Sequence, residues 1–233
     1  MRTVKHNPAF MDASERAKRF GGRRHDLEEL LRIVRENTPR SHNQHVLVMG
    51  PRGIGKTTLL LRVADEMRAD ASLSAAWLPV VAPEETYRAG TVGEFWLEMV
   101  FNLSHATGDA RHEQVYNTLN LAHDNPGSES DDKRLAAAAL GHILDFADAR
   151  RCRLAFFVEN LQMLFNEQLS DRDAWALRET LIGERRIMLF ASAVSTFGAI
   201  THPNAPLYEQ FVVHTLKTLD TDGCLDLWQW RSG

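Results

Sequence analysis

Cysteine is scarce in this 233-residue chain. Cys152 and Cys224 lie far apart and form no CxxC or Cys/His spacing, so they read as free thiols in a reducing compartment. No run of eighteen or more apolar residues occurs, and MRTVKHNPAF at the N-terminus lacks the continuous apolar core of a signal peptide. A cytoplasmic protein without a membrane span is the expectation. The ten histidines supply no HExxH: His112-Glu113 comes near, but Tyr116 stands where the second histidine belongs. A GxSxG elbow is missing too, which leaves little room for HExxH-type metal hydrolysis or serine-dependent hydrolysis. With a formal net charge of −4, nothing marks the whole chain as a binder of nucleic acid or membrane. The charge is uneven, however: residues 1 to 40 hold ten Lys and Arg against six Asp and Glu, a basic end that reads first as a solvated face.

What is present suits one sizeable α/β core, given 44% hydrophobic residues over this length. Leu27, Leu30, Leu31 and Val34 fall at helical spacing, and Asn37-Thr38-Pro39 ends that helix. His45 to Met49 predicts a strand, then a glycine turn, then a helix from Lys56 to about Arg68. Ala75 to Val81 predicts a second strand stopped by Pro83, and Thr91 to Ser104 carries Phe95, Trp96, Met99 and Val100 on helical faces. Thr107 to Asp132 is polar and ends in HDNPGSESDD, which predicts an insertion finishing in an exposed loop; Lys133 to Ala149 is an Ala- and Leu-rich helix. Leu154 to Val158 is wholly apolar, as a strand buried on both faces must be. A helix over about Arg172 to Ile182, a strand at Ile187 to Phe190 and a short strand at Phe211 to Val213 complete the alternation. Strands alternating with helices predict an α/β fold with a parallel five-stranded sheet covered on both faces, in three layers, with ligands at the carboxyl ends of the strands. Trp77, Trp96 and Trp175 read as core.

Gly50-Pro51-Arg52-Gly53-Ile54-Gly55-Lys56-Thr57 satisfies GxxxxGK[ST] between a strand and a helix, where a phosphate-cradling loop must stand, and Thr58 follows it. The residue types match the chemistry. Glycines let backbone N–H groups turn inward, the helix N-terminus adds unpaired donors, Lys56 reaches the outer phosphates and Thr57 is placed to ligate Mg²⁺. The loop alone does not distinguish a kinase, a GTPase and an ATPase. Leu154-Ala155-Phe156-Phe157-Val158-Glu159-Asn160 ends an apolar strand in an acid, as an element that holds Mg²⁺ does.

Glu159-Asn160-Leu161-Gln162-Met163-Leu164 resembles the DExDxL segment of AAA-type ATPases, in the group containing origin-recognition proteins and STAND signalling ATPases, with each polar position altered. Phe20-Gly21-Gly22-Arg23-Arg24-His25-Asp26-Leu27 is similar to that group's hhGRExE signature, with Asp26 at the acidic position, and implies that Arg23 lies near the nucleotide. Met188 to Ser192 looks like a strand ending in the sensor 1 residue, Ser192, with Ser195 and Thr196 as nearby alternatives. Phe211 to Asp220 looks like the final strand and the turn into a helical lid.

The resemblance implies an N-terminal linker and helix over 1–40, an ATPase core over 41–215 with a polar insertion at 107–132, and the start of a lid over 216–233. Because the sequence stops at Arg231-Ser232-Gly233, just inside the first lid helix, a longer protein is expected, and Trp228 and Trp230 read as lid or interface surface. ATP and Mg²⁺ are the implied cofactors, with Lys56, Glu159, Asn160 and Ser192 as the catalytic set and Thr57 and Glu159 as metal ligands.

Two departures from the pattern bear on activity. Asn160 stands where the family has the acid that polarises the attacking water, and an amide cannot take that proton. Glu159 is expected to serve the metal; the alternative is that it acts on the water itself. Between Ala193 and Leu216 there is no arginine to act as a finger, and Arg178, Arg185 and Arg186 read as a solvated helix end. The expectation is a slow, Mg²⁺-dependent, nucleotide-controlled switch that controls a partner or effector in a larger protein or assembly, with a protein partner or self-association. A non-hydrolysing scaffold and a DNA-associated remodeller are the alternatives, and a P-loop kinase is a weaker one.

Overall fold

Runs of Val, Leu, Phe and Ala without polar alternation are stable as strands only when both faces are covered. The computed structural model describes residues 8, 11–38, 42–82, 89–123, 128–219, 221 and 223. Among them His45–Met49 (β1), Trp77–Ala82 (β2), Arg153–Val158 (β3), Ile187–Ala193 (β4) and Phe211–Thr215 (β5) form one parallel sheet of order β2-β3-β4-β1-β5. All seven residues of β4 are buried. Successive residues still point to opposite faces. Leu154, Phe156, Val158, Leu189 and Ala191 pack into one core, while Ala155, Phe157, Met188 and Phe190 pack into the other.

Helices cover both faces and make the fold a three-layer α/β. Arg24–Glu36 (α2) and Lys56–Ala69 (α3) bury Leu30, Val34, Leu59 and Val63 on one side. Val92–Thr107 (α5), Glu129–Arg150 (α7) and Asp171–Gly183 (α9) bury Trp96, Met99, Ile143 and Leu177 on the other. Phe157 and Phe190, neighbours in the β3–β4 ladder, stack with centroids 4.8 Å apart.

Four short elements were not foreseen from periodicity: Ala13–Arg19 (α1), Ala71–Ala76 (α4), Leu161–Met163 (α8) running into a π-helical turn at Leu164–Gln168, and Gly198–Thr201 (α10). The first has a specific anchor. Arg16 grips Asp65 of α3 with two 2.8 Å hydrogen bonds, so α1 is fixed to the back of α3 by charge rather than by an apolar stripe.

The polar insertion at 107–132 contains a helix that periodicity did not reveal: Ala110–Ala122 (α6) fills half of it, started by the Asp109 carboxylate accepting from the Arg111 N–H. Its HDNPGSESDD end, expected as an exposed loop, is helical from Glu129, and residues 124–127 lie outside the described residues. His112, Val115, Tyr116 and Leu119 carry the helical spacing, diluted by the polar residues between them. At its far end α7 begins at Glu129, and Asp131 and Asp132 are buried, with Asp131 Oδ2 2.6 Å from His123 Nδ1. Trp175 is not core. It is 43% exposed on α9, beside the Arg178 guanidinium at 5.5 Å. Trp77 and Trp96 are buried as expected. Pro39, Pro83, Cys224, Trp228 and Trp230, and with them most of the 216–233 segment, lie outside the described residues. Cys152 is half-buried, and burial pushes its thiol pKa up. Among the described residues, no helix is long and apolar enough to cross a membrane.

His45, 2% exposed at the start of β1, accepts from the Leu189 N–H through Nδ1 at 3.0 Å and faces the Leu181 carbonyl through Nε2 at 3.0 Å. Those partners fit a neutral ring with its proton on Nε2, and burial pushes the pKa down from 6.5 to about 4. The unfolded chain binds this proton below pH 6.5 and the folded chain does not until about pH 4, so the contribution to stability is complete above 6.5 and is lost as pH falls between the two. The shift predicts that His45→Gln removes about 3 kcal/mol of the wild-type decline in unfolding free energy from pH 7 to pH 4. Urea denaturation of both proteins at the two pH values measures this.

Candidate functional site

The carboxyl ends of β1, β3 and β4 converge because the strands are parallel and β4 lies between the other two. In register, Val48 pairs with Ser192 and Val158 with Ala191, which brings the loop after β1, the end of β4 and Glu159 after β3 into one cluster. The loop is fastened to the sheet by the Gly50 N–H, which donates to the Ala193 carbonyl at 3.1 Å.

Within the loop, Gly53 and Gly55 have φ of 78° and 104°, a region that side chains rarely tolerate. Gly55 is the N-cap of α3 and offers no side-chain cap to its first turn, whose N–H groups face the loop. Lys56, buried, donates from Nζ to the Gly50 carbonyl at 2.7 Å and the Pro51 carbonyl at 3.1 Å. Its ammonium therefore already lies over the loop. Arg52 and Pro51 are exposed at the rim, while Ile54 and Thr58 are half-buried.

Thr57, one residue into α3, donates its hydroxyl to Glu159 Oε2 at 2.5 Å. Residues 102 positions apart thus present a hydroxyl and a carboxylate to the same point. Both are hard oxygen donors of the kind Mg²⁺ selects, and a cation there would complete its shell with phosphate oxygens and water. These residues fit Mg²⁺. Among the described residues no group of three or more His, Cys, Asp or Glu side chains could hold a metal unaided.

Asn160 has φ 52° and ψ 44°, left-handed backbone that asparagine tolerates better than most residues. Its N–H donates to the hydroxyl of Ser192, fully buried in β4, at 3.1 Å. Ser195 and Thr196, by contrast, lie on an exposed turn. Arg23 is buried beside the loop, donating from Nη2 to the Ile54 carbonyl at 2.9 Å and to the Lys217 carbonyl at 3.0 Å. Asp26 takes Nη1 of Arg23 at 3.2 Å and faces His214 Nε2 at 2.7 Å. Periodicity and motif matching passed over His214 and the backbone partners of Arg23. A lone histidine at the end of β5 and the Gly21-Gly22 pair before the arginine were the available signals.

Of the arginines ahead of β4, Arg185 is exposed as expected, but Arg178 and Arg186 are not part of a solvated helix end. Arg178 donates to the Pro206 and Tyr208 carbonyls at 2.6 and 3.2 Å, and Arg186 pairs with Glu184 and Asp148, each at 2.6 Å.

A family model described as an AAA ATPase domain matches residues 19–190. No curated protein sequence matches the chain significantly. Among solved structures, the Orc1 protein of Aeropyrum pernix in complex with DNA superposes with a TM-score of 0.60 at 12% identity, covering 91% of this chain and 50% of that one. Cdc6p from Pyrobaculum aerophilum gives 0.54 at 12% identity, covering 95% and 53%. The Aeropyrum pernix Orc2 protein, solved as ADPNP-ADP complexes, gives 0.52 at 16% identity, covering 83% and 47%. This chain thus spans about half the length of the structures it resembles, and at these identities the likeness is one of fold.

The loop geometry predicts that Gly55→Ala costs about 1–3 kcal/mol of stability from backbone strain alone, because the new Cβ would meet nothing nearer than Arg23 Nε at 3.6 Å. Gly141→Ala, in open space within α7, is the control and should stabilise by up to about 1 kcal/mol. Urea unfolding of the three proteins reads both.

Proposed function

We propose, from the premise that this chain belongs to the AAA ATPase domain family, that it binds ATP with Mg²⁺ at the phosphate loop and acts as a slow nucleotide-dependent switch on a protein partner. The observation that carries this reading is the 2.5 Å hydrogen bond from Thr57 to Glu159. It supports a metal-holding role for Glu159, the acid after β3, over direct action on water.

In this reading the N–H groups of the loop and of the first turn of α3 bind phosphate oxygens, and Lys56 exchanges its contacts with Gly50 and Pro51 for the β- and γ-phosphates. Thr57 and Glu159 would hold Mg²⁺, which supplies charge neutralisation on the phosphates when bound. Arg52, Thr58 and Arg23 line the loop's rim and rear. Ser192 fixes the Asn160 peptide and, through it, the place of the residue facing the terminal phosphate. Hydrolysis is attack of water on the γ-phosphorus with loss of ADP, driven mainly by positioning and charge. Asn160 can orient that water but cannot take its proton, which makes turnover slow. A cytoplasmic site of action belongs to the same proposal.

Asn160 also favours a second reading, a nucleotide-binding scaffold that does not hydrolyse. The Orc1 neighbour was solved with DNA, and the basic end of this chain makes a DNA-associated role the main variant of the switch.

Because a positioned general base is worth about 10²–10⁴-fold in rate, Asn160→Asp should release phosphate at least about 100-fold faster than wild type under single turnover. Asp keeps a short side chain suited to left-handed backbone, whereas Glu would add strain. Wild-type phosphate release should be slow and should vanish in Lys56→Ala. Brisk wild-type turnover unchanged by Asn160→Asp would refute the assignment, and absent wild-type release would select the scaffold.

A further inference from the structure

We propose that Gly22, Arg23, Asp26 and His214 form a clasp that sets the direction of one phosphate-binding N–H and carries the state of the loop to the chain after β5. It rests on the nucleotide-binding reading above. Arg23 is then a positioning residue, acting through the Ile54–Gly55 peptide.

The first element is peptide planarity. The Ile54 carbonyl and the Gly55 N–H belong to one rigid amide and point in opposite directions. Arg23 Nη2 holds the Ile54 oxygen at 2.9 Å, so the Gly55 N–H of the same amide points away from the guanidinium. The left-handed Gly55, at φ 104°, is what allows that orientation to persist into α3.

The second element is sharing. Nη2 bears two hydrogens, and the other goes to the Lys217 carbonyl at 3.0 Å. A rotation of the Ile54 peptide as phosphate arrives cannot leave Lys217 unaffected, because one planar nitrogen serves both. The guanidinium is itself braced: Nη1 is held by Asp26 Oδ2 at 3.2 Å, and Asp26 Oδ1 lies 2.7 Å from His214 Nε2 on β5, with Glu29 Oε2 3.4 Å from the other ring nitrogen. This fixes α2, the loop and the end of β5 as one unit.

The third element is backbone contact. Gly22, at φ 71°, approaches Gly223 so closely that a Cβ would fall 2.7 Å from the Gly223 oxygen and 2.8 Å from its Cα. The segment after β5 is also tied to the loop's start, the Leu216 N–H donating to the Met49 carbonyl at 2.8 Å. Thus Gly22, the residue before Arg23, approaches the same stretch after β5 that Arg23 bonds, backbone to backbone.

The test is amide hydrogen exchange on the whole chain with and without saturating ADP, together with ADP titration. In the wild type, ADP should change the protection of the peptide spanning residues 216–223. Arg23→Gln should bind ADP about tenfold more weakly, within the usual range of coupling between sites, and at saturation should lose the response of that peptide. Gly22→Ala, which keeps every polar group but opens the Gly223 contact, should lose it too, and serves alone if Arg23→Gln does not fold. Survival of the wild-type response in a folded variant overturns the clasp while leaving nucleotide binding intact. Failure of the wild type to bind ADP overturns both readings.

Discussion

The arrangement rests on the ladder that wedges β4 between β1 and β3. Parallel pairing fixes the rise of each strand against its neighbour: Met49 pairs with Ala193 and Val158 with Ala191, so the loop after β1 and the acid after β3 emerge near the same end of β4, on its two sides. Everything in the site depends on that spacing. Were the β3–β4 register shifted by one residue, Glu159 would turn to the other face and Thr57 would lose its partner. The burial of β4 on both faces makes such a slip expensive, because Phe190 and Leu189 serve opposite cores.

From that frame the site follows in layers. The sheet places the loop, glycine backbone shapes it, and α3 presents its N-terminus to it. Charge then finishes the work from behind: Arg16 and Asp65 secure the far side of α3, while Arg23 and Asp26 secure the loop's rear. Lys56 and Thr57 contribute the groups that would meet phosphate and metal, and both are already occupied by nearby oxygens. A ligand at these groups would replace existing contacts rather than fill empty space.

Much of this was legible in the sequence because it depends on local rules. The glycine loop has a fixed spacing, the five strands are apolar runs bounded by turns, and α2 has a clean helical stripe. What was not legible depends on partners distant in the chain. Helix α6 was hidden because only His112 is fully buried and its other apolar contacts are partial. Trp175 looked like core because composition cannot tell which face of α9 meets the sheet. Asn160 is a third kind of case. Its identity suggests lost chemistry, and the structure adds a backbone reason for asparagine at that point, since the chain turns through left-handed space to start α8. Arg23 was placed near the nucleotide by resemblance, but its double grip on Ile54 and Lys217 emerges only from three-dimensional contact.

The central claim is that the loop and the acid of β3 act together on a magnesium-bound triphosphate. Calorimetric titration of ATP into wild type and Glu159→Gln, each with and without Mg²⁺, tests it most directly. The account predicts that Mg²⁺ strengthens ATP binding to the wild type and that Glu159→Gln loses this enhancement while keeping its metal-free affinity. An equal Mg²⁺ effect in both proteins, or no ATP binding by the wild type, would contradict it.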